Sequence, residues 1–463
     1  MEPGSARLLL QLLRGRQAPA LHAQTPELQD QSHRTHFCVR VHEGGPDQPG
    51  DRLLCEEEHA GSRWRLHHVP GDQPGLWRGQ CSVFGSEPWV QNPKLHSQNL
   101  HYQRNVLLSP GSDPFLLLQL LGVWVVSEWM GAARPKRLQL VELGPGKGSL
   151  VADILRVFTQ LRSVVGGASV SVHLVEVSPT LSRVQAQTLT GNRSQTASSE
   201  DDPVYRRGET AAGFPVSWYR RLEDVPAAFS IFVAHEFFDA LPIYKFQRTE
   251  KGWREVLVDI DPADPDRLRF VVAPTPTLAS STLVQAGERR SHVEVCAEGG
   301  VVVQQLARRI QEEGGAALIA DYGHDGTKTD TFRGFKGHRL HDVLEAPGSA
   351  DLTADVDFSF LRRMAGGGVA CLGPVSQRTF LQNMGIDARM QVLLRSCSDP
   401  SSRQQLLSSY DLLTSASRMG ERFFFFCLLH PSRLAAPRPP HGLKLEKKNP
   451  VQLPVAGFTE LRF

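Results

Sequence analysis

Residues 139–155 read QLVELGPGKGSLVADIL. Gly144, Gly146 and Gly148 punctuate the centre of this stretch, and the acid Glu142 stands just ahead of them. The preceding RLQLVEL is short and largely apolar, which predicts a buried strand. After the loop, Leu150, Val151, Ile154, Leu155, Phe158 and Leu161 recur at helical spacing. A glycine-rich turn between a strand and a helix lets backbone approach a ligand where a Cβ would clash. The ligand could be a phosphate, a dinucleotide, or an adenosyl group without phosphate.

Three features discriminate among these. No GxxxxGK[ST] occurs, so the loop is not a P-loop. A dinucleotide fingerprint wants a third small residue at position 149, where Ser149 is tolerable but imperfect. Glu142 would repel a pyrophosphate and attract a sulfonium or an amino group. S-adenosylmethionine carries both cations and no phosphate. The second apolar run, SVSVHLVEVS, ends in Glu176, an acid placed to accept hydrogen bonds from ribose hydroxyls in either cofactor class. Glu142, Gly144, Gly146, Gly148 and Glu176 are therefore the candidate cofactor residues. A dinucleotide and a purely structural turn remain as alternatives.

The flanking sequence alternates strands and helices. PTLSRVQAQTLT is a helix with Pro179 at its start. TGNRSQTASSEDDP reads as a polar loop, and SIFVAHEFFDALP as a strand running into a turn. FQRTEKGWREVLVDID predicts a hairpin turning at Glu250–Gly252, followed by the strand DRLRFVVAP. VVVQQLARRIQEEGG is a helix closed by glycine, and AALIADYG a further strand. Near the end, VDFSFLRRMA, MQVLLRS and SRQQLLSSYDLLTS predict helices, and RFFFFCLLH a strand whose phenylalanines belong to a core. This order predicts an α/β fold: a doubly wound, mostly parallel sheet, Rossmann-like, with α+β insertions after Asp239 and after Tyr322.

The chain has 463 residues and a net charge of +2. That balance argues against a strongly basic nucleic-acid binder. Phe115–Val126 is apolar but too short for the roughly 20 residues that span a bilayer, so no transmembrane segment is expected. The seven cysteines are widely spaced with no CxxC, and the histidines before residue 106 are scattered. No metal site is expected. Residues 1–26 carry Arg7, Arg14 and Arg16 against Glu2, the pattern of a mitochondrial transit peptide. Residues 27–105 lack periodicity and promise little regular structure. The main domain is expected over 106–430, with a loose tail over 431–463.

VELGPGKGSLVADILRVFTQL, VHLVEVSPTLSRVQ, AHEFFDALPIYKFQ and ADYGHDGTKTDTFRGFKGHRLHDVL together resemble the MidA family of class I methyltransferases. The similarity covers about residues 106–430. Within the family it resembles the mitochondrial protein-arginine methyltransferases. The resemblance implies S-adenosylmethionine-dependent symmetric dimethylation of an arginine. It also implies the target: a core subunit of respiratory complex I, during assembly in the mitochondrial matrix. One departure lies in VLLSPGSDPFLLLQLLG. Ser109, Pro110, Leu120, Leu121 and Gly122 keep the family pattern, but Gly111 replaces a glutamate, and nothing before Val106 is similar. The competing reading is a non-catalytic assembly chaperone that keeps the fold.

HEFFD, residues 235–239, lacks the second histidine of a zinc-peptidase HExxH and follows a strand pattern, not a helical one. Under the methyltransferase reading its acids sit where the methyl is transferred. A guanidinium is planar, always charged and best held by carboxylates. Glu236 and Asp239 are thus candidates for gripping a substrate arginine, with Tyr322 lining the pocket and His324 a possible proton acceptor. The plainer alternatives are a capped turn and a well-bonded loop.

Overall fold

The computed structural model describes residues 52–57, 64–69, 115–434 except 198, 200 and 338, and 454–459. The transit-peptide segment lies outside the described residues, as do Ser109, Pro110 and Gly111. In the segment expected to lack regular structure, Arg52–Glu57 and Trp64–Val69 pair as an antiparallel hairpin.

The main body is built on one sheet. Its strands are β1 (Arg137–Leu143), β2 (Ser169–Val175), β3 (Ser194–Thr196), β4 (Val204–Glu209), β5 (Pro215–Tyr219), β6 (Ser230–His235), β7 (Gly315–His324), β8 (Ala370–Ser376) and β9 (Phe423–Leu429). They lie in the order β8-β9-β7-β6-β1-β2-β5-β4-β3, and the short strand Val356–Asp357 also pairs with β7. The five central strands, β7-β6-β1-β2-β5, are mutually parallel. Antiparallel strands flank them on both sides. The fold is the expected doubly wound, mostly parallel sheet. Two strands that the sequence pattern did not announce, β4 and β5, extend it. VYRRGE interleaves arginines and PVSWY is only five residues long, starting on a proline, so neither carries a clear alternation. Within the stretch expected to be a polar loop, Ser194–Thr196 pairs with β4.

Helices cover both faces. On one lie α1 (Phe115–Gly131), α2 (Ser149–Gln160) and α3 (Pro179–Thr190). α1 is apolar nearly all round because it is buried nearly all round: Leu121, Trp124 and Val125 are at most 1% exposed. On the other face lie α4 (Ala297–Glu313) and α5 (Phe358–Ala365), whose Val303, Leu306, Ile310, Phe358 and Leu361 pack beneath Val141, Phe232 and Ile319. Each such side chain contributes about 1.5–3 kcal/mol by leaving water. Central parallel strands covered on both faces read as continuous apolar runs, which is how VELG and SIFVA are composed.

The insertions are β-rich. Tyr244–Thr249, Gly252–Asp261, Asp264–Val272 and His292–Val295 form a four-stranded antiparallel sheet, with the hairpin turn between Thr249 and Gly252 as expected. Its Phe246, Val293 and Val295 are buried against the core. A three-stranded sheet, Arg333–Lys336, Arg339–His341 and Asp351–Thr353, follows β7.

The expected loose tail from Pro431 is not loose at its described residues. Arg433 is buried and forms an ion pair with Glu128 on α1, Nε to Oε2 at 2.9 Å and Nη2 to Oε1 at 3.1 Å. Val455 and Ala456 are buried, and the Phe458 ring packs edge-on against Phe380 at 5.6 Å. Two apolar residues in a Pro- and Lys-rich stretch were too weak a signal. Among the described residues no helix is long and apolar enough to cross a membrane.

Candidate functional site

The parallel register sets the site. Leu143 lies beside both Val175 and Ala234, and His235 beside Ala320. The carboxyl ends of β1, β2, β6 and β7 therefore share one edge. Gly144, Glu176, Glu236 and Asp321 come together there, where doubly wound sheets bind their ligands.

The glycine loop needs its glycines. Gly144, Gly146 and Gly148 all adopt positive φ, at 61°, 54° and 78°. A Cβ on Gly144 would also lie 2.8 Å from Cδ2 of Phe237, closer than carbon atoms pack. Gly148 caps α2, whose first N–H groups open toward this edge. Glu142 is buried on the β1 face that carries Leu138 and Leu140.

Glu176 sits just beyond β2 and is buried. Its Oε1 accepts the Ser178 N–H at 2.7 Å, and its Oε2 accepts Gln185 Nε2 at 2.8 Å. Burial pushes its carboxyl up to about 7. Each carboxylate oxygen has two lone-pair sites, so both keep acceptor capacity for two hydroxyls. The same Gln185 nitrogen donates to the Gly146 carbonyl at 2.7 Å, and Gln185 Oε1 accepts Trp218 Nε1 at 3.0 Å. Gln185 is fully buried. It locks the glycine loop to the acid, and sequence reasoning missed it. The signal was there: a glutamine on the Leu181, Ala186, Leu189 stripe of α3, where a polar side chain needs a partner. The left-handed glycine loop, the helix N-terminus and the buried acid with spare acceptors together fit an adenosyl donor.

The second half of the site is acidic. Glu236 follows β6 with φ at 51°, uncommon for a residue with a Cβ. It is buried, as is Asp239. Asp239 accepts the Thr353 hydroxyl at 2.9 Å. Asp321, on β7, is wholly buried and accepts the N–H groups of Phe237, Phe238 and Asp239 on one oxygen, at 3.2, 2.9 and 3.3 Å. Its other oxygen accepts the Tyr322 N–H at 3.0 Å. Burial, then the charges of Asp239 and Glu236, hold Asp321 well above the usual carboxylate range. Burial likewise raises Asp239, against the bond from Thr353 and the nearby Arg333 charge. Burial raises the Tyr322 phenol, with Glu236, Asp239 and Asp321 adding to it. Its ring packs edge-on against Phe423 at 5.1 Å.

Of the residues singled out from sequence, Glu236, Asp239 and Tyr322 thus converge with Asp321, which the sequence placed at the same sheet edge without a role. His324 does not stand ready as a proton acceptor. Its Nδ1 accepts the Thr327 N–H at 3.1 Å, and burial lowers its pKa. It organises its own loop, the plainer of its two readings. Arg333 pairs with Asp355 at 2.7 Å. A cavity of about 340 Å³ lined by Glu128, Phe229, Gly315 and Arg433 opens at the amino ends of β6 and β7, the edge opposite this site.

A family described as S-adenosyl-L-methionine-dependent methyltransferase matches residues 120–375. A protein arginine methyltransferase NDUFAF7, mitochondrial, of Danio rerio is 62% identical over 368 residues, covering 78% of this chain and 85% of its own. The Homo sapiens protein of the same name is 51% identical over 422 residues, covering 84% and 95%. Among solved structures, a Burkholderia thailandensis protein bound to S-adenosyl-homocysteine shares the fold. Its TM-score is 0.53 at 23% identity, over 74% of this chain and 88% of that one.

Proposed function

Since this chain belongs to the family of S-adenosylmethionine-dependent methyltransferases, we propose that it methylates arginine in a protein substrate, in mitochondria. One observation carries the choice of arginine. Three buried carboxyls, Glu236, Asp239 and Asp321, gather immediately beyond the glycine loop, with Phe237 between them and Gly144. Buried acids in company call for a cation, and a guanidinium presents several donors in one plane.

S-adenosylmethionine supplies a methyl group activated on a sulfonium. The chain's own residues do the rest. Gly144 and Gly146 give the loop its left-handed path, and Glu176, held by Gln185, accepts ribose hydroxyls. Glu236 and Asp239 grip the arginine and exclude water from its nitrogen, and Tyr322 lines the pocket. Methyl transfer depends on alignment and desolvation more than on a strong base. With the methyl donor bound, this geometry would let the arginine nitrogen take the methyl group, with S-adenosylhomocysteine as the other product. The nitrogen then releases one proton, which Glu236 or Asp239 accepts. In its finer form the proposal is symmetric dimethylarginine on a core subunit of respiratory complex I in the matrix, which rests on the family resemblance.

The test incubates the protein with mitochondrial extract and S-adenosylmethionine labelled in its methyl group, then hydrolyses the protein and separates the methylated amino acids. Label in symmetric dimethylarginine is expected. Label confined to lysine or histidine, or none at all, overturns the arginine assignment.

A further inference from the structure

Asp321 does more than its backbone contacts require. Three successive N–H groups, those of Phe237, Phe238 and Asp239, converge on one oxygen of its carboxylate. They converge because Glu236, just ahead, takes the left-handed conformation. Successive N–H groups after such a turn form a concave cradle for an anion. A non-glycine residue stays left-handed only where its surroundings over-determine it. Here the Asp321 carboxylate holds the amides that follow, and the Ala320 carbonyl accepts the Glu236 N–H at 3.0 Å.

A neutral acceptor would satisfy those amides at a lower desolvation cost. The chain instead buries a carboxylate beside two others, Glu236 and Asp239, where each charge opposes the next. The Thr353 hydroxyl and the Arg333 charge relieve Asp239 in part. Tyr322 faces the cluster from β7 and Cys296 from the head of α4, while Arg333, the nearby cation, is already paired with Asp355. Burial holds Asp239 and Asp321 above the usual carboxylate range, and a cation arriving beside them would favour their charged forms.

We propose that Asp321 is the positioning residue of the acceptor site: it fixes the Glu236–Asp239 turn and completes the negative field that receives the arginine. This rests on the arginine reading above. Asp321 touches backbone and the Asp239 carboxyl, not substrate.

The experiment compares the wild type with Asp321→Asn and Asp321→Ala. Asparagine keeps an acceptor for the amides and loses the charge; alanine loses both. Asp321→Ala is expected to lose about a hundredfold in methyl transfer, as small misplacements of reacting groups do. Asp321→Asn is expected to recover most of that. Both should bind S-adenosylhomocysteine within about twofold of wild type by calorimetry, because no Asp321 hydrogen bond reaches the glycine loop or Glu176 directly. The acid limb of the rate profile should move to lower pH in Asp321→Asn, because one like charge has gone. Equal losses in the two variants, an unmoved acid limb, or a parallel loss of cofactor binding overturns the proposal.

If the wild type labels no arginine, the proposed function fails, and NMR on the wild type decides this inference by itself. The amide protons of Phe237, Phe238 and Asp239 should then shift together at one pH midpoint, and shift again on adding arginine amide with S-adenosylhomocysteine. Independent or absent shifts overturn it.

Discussion

One Gln185 nitrogen bonds both the Glu176 carboxylate, at 2.8 Å, and the Gly146 carbonyl, at 2.7 Å. The acid assigned to the ribose and the loop assigned to the rest of the donor are therefore a single hydrogen-bonded unit. Replacing Gln185 by leucine should weaken S-adenosylhomocysteine binding by about tenfold, since two buried acceptors lose a donor. Glu176→Gln should weaken it by a similar factor. The double variant should lose less than the product of the two, because the residues act together. Isothermal titration of the three proteins measures the coupling; strict additivity would mean that Gln185 is a bystander.

The Glu176 carboxyl, raised to about 7 by burial, sets a pH dependence. Ribose hydroxyls donate to the carboxylate, so the bound state favours the ionised form. Below pH 7 binding must first remove a proton. Affinity for S-adenosylhomocysteine should fall by up to about tenfold per pH unit below that point and level off above it. The sign for folding is the reverse. A raised acid binds more protons when folded, so its contribution to stability is present at low pH and is lost as pH rises through 7. Glu176→Gln should flatten the binding curve. A wild-type curve flat from pH 5 to pH 8 would remove Glu176 from the ribose.

Gly144→Ala places a Cβ 2.8 Å from Phe237 at a φ of 61°. The left-handed conformation alone costs about 1–2 kcal/mol. Because Phe237 lies within the Glu236–Asp239 turn, this variant should lose cofactor affinity and methyl transfer together. Glu236→Gln, by contrast, should lose transfer while keeping affinity. Side-by-side calorimetry and label incorporation separate the two halves of the site. Loss of affinity in Glu236→Gln would merge them.

Removing one partner of the buried Glu128–Arg433 pair leaves an uncompensated buried charge. Arg433→Ala should destabilise the fold by about 3–5 kcal/mol. Adding Glu128→Gln should restore part of that by removing the stranded charge. Thermal unfolding followed by circular dichroism reads both, and a double variant no more stable than Arg433→Ala would show that the charge is not what matters.

The central strands and the glycine loop were legible because buried parallel strands and left-handed glycines leave compositional marks. Residues 142–148 carry those marks within seven positions. β4 and β5 were not legible, since short strands near an antiparallel edge alternate weakly. Glu236, Asp239 and Tyr322 could be found because acids and aromatics at strand ends stand out. Asp321 was visible in ADYG, but its hold on the amides of Phe237, Phe238 and Asp239 crosses between two chain segments. No local pattern encodes that. The sequence marks Gln185 as a polar residue on an apolar helical stripe, but not what it binds: its partners lie 39, 9 and 33 residues away. The docking of Val455 and Ala456 rests on too few residues to generate a period.

Glu128 and Arg433 are separated by 305 residues. A nascent chain emerges from its amino end, so α1 is made long before its partner charge exists. Until Arg433 has cleared the exit tunnel, Glu128 has no cation with which to enter the interior. A chain cut short of residue 433 therefore contains every residue of both half-sites yet lacks the cation that meets Glu128 in the interior.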